Sequence, residues 1–293
     1  MQEDDRVTRV LVTGARGQLG SRLLEFGARR KALQVVGLDR TDLDITDPSS
    51  IQEALVKHTP DVVINAAAYT AVDLAESEQE RAFAVNGAGV KHLAEACRQN
   101  QVALIHVSTD YVFGEVERVP LDPSEPTSPL GVYGASKLDG EEAFSASGVC
   151  GAVVRVAWLY DARGNNFLTT MVRLAQQHGR LNVVNDQHGV PTSAPALAEA
   201  LLDMAERGQD MPQGIRHYAH AGHTTWHGFA AAIMGQAGMH VPVEAVSSDA
   251  FPTAATRPAW SVLDGAPLHQ EMGWTLEPWQ NALKACWKLR EEG

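Results

Sequence analysis

Tyr133 and Lys137 are four residues apart in the run Tyr-Gly-Ala-Ser-Lys, a spacing that sets a phenol and an ammonium on one face of a helix. An adjacent cation favours the ionised phenol, so a group that ordinarily titrates near ~10 is drawn down toward the range where it gives or takes a proton. Thr109 lies in Ser108-Thr-Asp-Tyr-Val-Phe113, at the end of an apolar run, and its hydroxyl can hold a carbonyl oxygen there. The chemistry these residue types suggest is hydride transfer to a ketone: Tyr133 protonates the oxygen, and Lys137 favours the tyrosinate and grips a nicotinamide ribose.

A dinucleotide needs a cradle, and Val10-Leu-Val-Thr-Gly14-Ala-Arg-Gly17-Gln-Leu-Gly20 has the form of one: a short strand, then Gly-x-x-Gly-x-x-Gly, then helix. Glycine permits the tight turn and the close backbone approach, and the helix N-terminus turns its free N–H groups toward a pyrophosphate. A second strand ends some twenty residues on at Asp39-Arg40. Asp39 suits a ribose hydroxyl and so NADH, whereas Arg40 and Arg16 suit a 2′-phosphate and so NADPH. NADPH is the expected cofactor, with NADH the alternative.

The elements that must position these groups follow a βα rhythm. Apolar, β-branched runs at 10–13, 35–38, 62–65, 103–108 and 153–157 alternate with helical periodicity at 19–30, 48–57, 78–99, 130–145, 166–178 and 194–207. That alternation predicts a doubly wound parallel sheet covered on both faces, an α/β Rossmann fold. Two further strands, 181–184 and 216–220, are expected to extend the sheet. Beyond Trp226 the rhythm fades into an amphipathic helix, Pro-rich irregular segments and a last helix near 278–290, as a smaller interleaved substrate lobe would. The expected division is 1–155 plus 183–222 for the dinucleotide domain and 156–182 plus 223–293 for the lobe.

The 293 residues, 44% apolar and 20% charged, suit such a globule. A net charge of -12 disfavours a nucleic-acid partner. The acidic start at 1–6 and the want of any run near the ~18 apolar residues of a spanning helix predict a cytoplasmic protein with no membrane partner. Cys97, Cys150 and Cys286 form no metal or redox motif. His217, His220, His223 and His227 have a metal-like spacing, but the stretch starts in a strand and crosses a turn at Gly222, so one shared face does not follow and no metal is expected.

The ordered set of motifs resembles the extended short-chain dehydrogenase/reductases, and within them the dTDP-4-dehydrorhamnose reductase family. It comprises the glycine turn, Asn65-Ala-Ala-Ala-Tyr-Thr-Ala-Val-Asp73, Ser108 to Phe113, Ser128-Pro-Leu-Gly-Val-Tyr-Gly-Ala-Ser-Lys137, Asn185-Asp-Gln-His-Gly-Val-Pro-Thr192, Thr225-Trp-His227 and Arg257-Pro258. The resemblance implies a Thr109, Tyr133, Lys137 triad that reduces the C4 ketone of a dTDP-4-keto-6-deoxyhexose. For the cofactor it implies Gly14, Arg16, Gly17, Gln18, Leu19, Asp39, Arg40, Asp44 and Ile45, with Ala66, Ala67, Ala68, Tyr69 and Asn86. For the sugar nucleotide it implies Val72, Tyr111, Trp158, Asn165, Asn166 and Arg257, although Trp158 also reads as core and Arg257 as half of an ion pair.

Related dehydratases carry Glu where Tyr111 stands, which argues against dehydration. Metal-linked dimers of the rhamnose-pathway reductases use glutamates at the places of Arg22 and Pro195, and neither residue offers oxygen to magnesium. Glu291 and Glu292 do not rebuild that site, and the protein is read as a monomer or homodimer. Two rival readings are a non-catalytic regulatory subunit like the β subunit of methionine adenosyltransferase and a sugar-nucleotide epimerase.

Overall fold

A computed structural model describes residues 7–291. The acidic start at 1–6, Glu292 and the side chain of Glu291 lie outside the described residues. Five strands, β1 (Thr8–Thr13), β2 (Leu33–Leu38), β3 (Val62–Asn65), β4 (Ala103–Thr109) and β5 (Gly151–Val156), join the strand Gly214–His217 in one six-stranded sheet. The order is Gly214–His217, β5, β4, β3, β1, β2, and every pairing is parallel. Chain direction in the winding reverses at β1 and β3, so a crevice opens between their carboxyl ends.

Alternation along the strands sorts side chains into two buried layers. Val10, Val12, Ile64 and Ile105 meet Leu19, Leu23 and Phe26 of α1 (Gln18–Gly27) and Leu197 and Leu201 of the helix Ala194–Glu206. Leu11, Val63, Leu104 and Val153 face the other way, onto Ile51 and Leu55 of α2 (Pro48–His58), Leu93 of a helix at Gly89–Gln99 and Phe144 of a helix at Val132–Ser147. The β3 strand is buried throughout, as a parallel strand sandwiched by helices must be.

Sequence periodicity reads 78–99 as one helix, and the chain is helical without a break from Gln79 to Gln99, with a π turn inside it. After a single turn at α3 (Val72–Ala75), α4 (Gln79–Phe83) leads into a π turn, Ala84–Ala88, and then α5 (Gly89–Gln99). The extra residue in the π turn brings Asn86 round to the loop after β3, where its amide holds both Tyr69 backbone groups. Gly140 of α6 (Val132–Ser147) lies against the Asn86 carbonyl so closely that a Cβ would collide with it. Periodicity does not register this kind of close backbone approach.

The expectation that 181–184 extends the main sheet is corrected: Leu181–Val184 pairs in parallel with Val243–Val246 in a separate two-stranded sheet. Its apolar residues Leu181 and Val183 pack with Leu168 and Val172 of α7 (Phe167–His178) and Phe229 and Ile233 of a helix at Trp226–Gln236, so a local core outcompetes the sheet edge. Around them α8 (Ala194–Glu206), α9 (Trp226–Gln236), α10 (Ala266–Met272) and α11 (Trp279–Glu291) complete the chain. Among the described residues no helix is long and apolar enough to cross a membrane.

Arg22 ties the two cores together. Its guanidinium, 2% exposed, makes paired bonds of 2.7 and 2.6 Å to Asp161 just beyond the strand Leu159–Tyr160, and a third to Glu25. Desolvating such a pair consumes most of its attraction, but removing one partner strands a buried charge. Arg22→Ala is therefore expected to cost about 3–5 kcal/mol in urea unfolding, and Arg22→Met combined with Asp161→Leu to recover most of it.

Candidate active site

The crevice at the carboxyl ends of β1 and β3 has a volume of about 450 Å³. Gly14, Arg16, Gly17, Asp39, Arg40, Asp44, Ile45, Ala66, Ala67, Ala68 and Tyr69 line it, as read from the sequence, together with Thr41, Leu43, Arg81 and Val85, which the sequence reading missed. Gly14 takes φ +64, and a Cβ there would stand 2.8 Å from the Ala67 nitrogen and 2.9 Å from Ala66. Gly17 precedes α1 with no side-chain cap, which leaves the helix N-terminus free for an anion. These features fit a dinucleotide diphosphate.

Several of the expected cofactor residues do not line this crevice. Leu19 is in the sheet core, and Asn86 is buried with its amide spent on Tyr69 and the Ser136 hydroxyl. Gln18, the first residue of α1, is half-buried and does not line the crevice. At the rim, Asp39 accepts from the backbone N–H and hydroxyl of Thr41 and pairs with Arg16 at 2.6 Å, so its carboxylate stays below the usual range. Arg40 leans on Asp44 at 3.3 Å. Arg81 lies over the Tyr69 ring; its only sequence signal is a basic residue on an otherwise acidic helix.

Beyond the crevice, Tyr133 packs against the small cluster of Tyr69, Ala75 and Ala82. It stands in the first turn of α6, which is pressed onto the chain beyond β4 because Gly134 has no Cβ to strike the Tyr111 carbonyl. The Thr109 hydroxyl lies beside the Tyr133 phenol, donates to Asp110 at 3.0 Å and accepts from the Tyr111 N–H. Tyr111 meets Tyr133 edge to face at 5.4 Å between centroids.

The structure revises the expected electrostatics of the phenol. Lys137 is 2% exposed, and its Nζ donates to the Val107 carbonyl at 2.7 Å and lies 3.3 Å from His106 Nε2. Burial pushes the Tyr133 phenol up to about 12, with the neighbouring Thr109 hydroxyl opposing the rise. Burial also pushes Lys137 down to about 8 against the pull of Glu141. Tyr133 is thus a protonated donor at neutral pH. Asp110, fully enclosed, is raised to about 6 by desolvation.

A second cleft of about 690 Å³ lies between α7 and the segment 248–257. Arg257 lines it, bound by two bonds to Asp73 at 3.1 and 2.8 Å, and lies near Tyr111. Arg257 is therefore both an ion pair and a cleft residue. Trp158 does not line this cleft; it adopts φ +50 and stacks at 3.6 Å on Trp226, which does. Holding a bulky residue in the left-handed region costs of order 1–3 kcal/mol, and the stack together with Gly189, which leaves space for the ring, over-determines it.

Of the remaining expected substrate residues, Asn166 is spent on capping α7 and Asn165 is exposed beside it. Val72 opens α3 next to Asp73. Sequence reading missed Phe167, Trp226 and Phe251 of the cleft wall, whose apolar character reads equally as core, and the polar Gln187. Gln187 accepts from the Trp226 indole N–H and donates to Ser248. The four histidines diverge: His217 meets the Leu121 carbonyl, His227 the Val243 carbonyl, His220 the Tyr218 ring and His223 the Trp260 ring.

Crevice, hydroxyls at the sheet's carboxyl edge and second cleft define the class: a doubly wound α/β fold of the extended short-chain dehydrogenase/reductase kind. The model of the RmlD substrate binding domain matches residues 8–291. A dTDP-4-dehydrorhamnose reductase of Mycobacterium tuberculosis is 43% identical over 95% of this chain and 92% of its own, and one of Aggregatibacter actinomycetemcomitans 39% over 95% and 98%. The crystal structure of the Bacillus anthracis dTDP-4-dehydrorhamnose reductase in complex with NADP superposes with a TM-score of 0.91 at 33% identity, covering 97% of this chain and 99% of that one. The chain belongs to the RmlD family.

The glycine turn supplies a test of the crevice geometry. Gly14→Ala combines a left-handed φ with backbone clashes against Ala66 and Ala67, and a loss of about 1–3 kcal/mol in urea unfolding is expected, with weaker NADPH binding by fluorescence titration.

Proposed function

We infer that this protein uses NADPH to reduce the C4 ketone of a dTDP-4-keto-6-deoxy-L-hexose to the alcohol, the activity its relatives' names carry, in deoxysugar synthesis. The observation that carries the reading is the Tyr133 phenol, buried beside the Thr109 hydroxyl and standing between the two clefts. Tyr133 adjoins Tyr69 of the glycine-turn crevice, and Tyr111 connects it to Arg257 of the second cleft.

The dinucleotide, when bound, supplies the hydride. Gly14, Gly17 and the first turn of α1 would hold its diphosphate, and Ala66 to Tyr69 its nicotinamide half. Thr109 would orient the ketone oxygen, and Tyr133, kept protonated by burial, would deliver its proton there as the carbonyl electrons move onto oxygen. Lys137 in its ammonium form would then offset the charge left on the phenolate. Arg257, with two of its nitrogens on Asp73, would turn toward the substrate diphosphate, and Phe167 and Trp226 would flank the base.

The decisive assay mixes purified protein, NADPH and dTDP-4-dehydrorhamnose. Loss of NADPH absorbance is expected, and Tyr133→Phe should reduce kcat by about 10²–10⁴-fold, the usual contribution of a positioned proton donor. Absence of NADPH oxidation by the wild-type protein with any 4-keto sugar nucleotide would overturn the reading.

Cofactor choice rests on Arg16 and Arg40, both exposed at the rim of the crevice. Removing both as Arg16→Ala, Arg40→Ala is expected to raise KM for NADPH about tenfold or more and to leave NADH nearly unaffected, since the 2′-phosphate alone distinguishes them. Parallel saturation curves with the two cofactors measure it.

A further inference from the structure

Lys137 is met from the sheet by a row of buried polar side chains that the catalytic reading leaves unused. Thr13 of β1, Asn65 of β3 and His106 of β4 are register partners on three adjacent strands, and all three are 0% exposed. Buried polar groups at such cost are retained when each finds a partner, and these do. The Thr13 hydroxyl donates to Asn65 Oδ1 at 2.6 Å, and the Ala67 backbone N–H reaches the same oxygen at 3.2 Å.

A backbone N–H can only donate, so Oδ1 of Asn65 is the acceptor and its Nδ2 is the atom facing His106 Nδ1, 3.0 Å away. An amide NH₂ requires a lone pair on Nδ1. The imidazole, held neutral by burial and by the neighbouring lysine, then carries its proton on Nε2. That N–H points at Lys137 Nζ over 3.3 Å. It matches the lone pair of an amine and opposes an ammonium, while Nζ in either form still donates to the Val107 carbonyl.

We propose that His106, oriented by Asn65, is a positioning residue that decides whether Lys137 is an amine or an ammonium, and so sets how much of the enzyme carries the catalytic cation at a given pH. To accept from an ammonium the row must reverse: His106 moves its proton to Nδ1, the Asn65 amide turns over, and the Ala67 N–H keeps only Thr13 Oγ1 at 3.3 Å. The reversed row has one bond fewer, so the polarity shown is the preferred one. No covalent step is involved; the lysine proton passes to solvent.

Other charged and titratable groups around Lys137 do not supply this control. Tyr133 is one turn before it on α6 and Glu141 one turn after. Glu141 favours the ammonium, but Arg155 of β5 and the Ser108 hydroxyl already share its oxygens. Asp110, beyond β4, is turned to Thr109, and His217 lies behind Arg155 at 3.5 Å.

The inference rests on the reading of Lys137 as part of the catalytic set, and its test does not need turnover. In full-length protein with ring-¹⁵N histidine, His106 is expected to be protonated on Nε2 and bare on Nδ1 at neutral pH; protonation on Nδ1 would overturn the proposal. Asn65→Asp keeps acceptors for Thr13 and Ala67 but offers its second oxygen to Nδ1–H. In it the His106 proton should move to Nδ1, and the Lys137 titration, followed by ¹³Cε NMR, should rise by about one pH unit or more. The alkaline fall of kcat/KM should rise with it, because loss of the ammonium limits that limb. An unmoved tautomer and lysine titration in Asn65→Asp would sink the idea. Should that variant not fold, the wild-type tautomer decides alone. Absence of turnover in the wild type would instead refute the functional reading and leave the tautomer result standing.

Discussion

The arrangement depends on how closely α6 is seated against the end of β4. Two glycines make the approach possible, Gly134 against the Tyr111 carbonyl and Gly140 against the Asn86 carbonyl. One buried ion pair then fixes the depth: Glu141 of α6 accepts from Arg155 of β5 and from Ser108 of β4. With the helix locked at that level, the Tyr133 phenol stands beside the Thr109 hydroxyl and Lys137 Nζ donates to the Val107 carbonyl. An ion pair so deeply buried contributes little net stability, and its value here is geometric.

Burial that fixes the geometry also governs the electrostatics. Both Tyr133 and Lys137 are displaced toward their neutral forms, the phenol upward and the amine downward. For a ketone reduction this is consistent: the proton donor is loaded before the reaction, and the charge that stabilises the product phenolate is adjustable near neutral pH. Asp110, raised by the same desolvation, avoids placing a full negative charge beside the forming alkoxide at the lower end of that range.

Two ion pairs reinforce the apolar packing that joins the chain beyond β4 and β5 to α7 and α9. Arg22 on α1 pairs with Asp161, and Arg257 pairs with Asp73 beside the second cleft. The first pair is buried and the second half-exposed, so only the second is open to exchange with a ligand. The left-handed Trp158 and its stack on Trp226 extend the rigid wall of the second cleft from the main sheet into the lobe.

Much of this was legible in the chain itself. The glycine turn, the β-branched runs and the Tyr133–Lys137 spacing determined the sheet, the crevice and the helix face, because they are local: each depends on residues a few positions apart. Strand 181–184 was not placed correctly, since an apolar run says that a strand is buried and not which sheet buries it. Likewise Leu19, Asn86 and Asn166 have the right types for binding but are spent on packing and capping, and only three-dimensional neighbours reveal that. The spacing put phenol and ammonium on one face; the tertiary structure decided their charge, because desolvation and the Thr13–Asn65–His106 row come from strands up to 124 residues away in the chain, between Thr13 and Lys137.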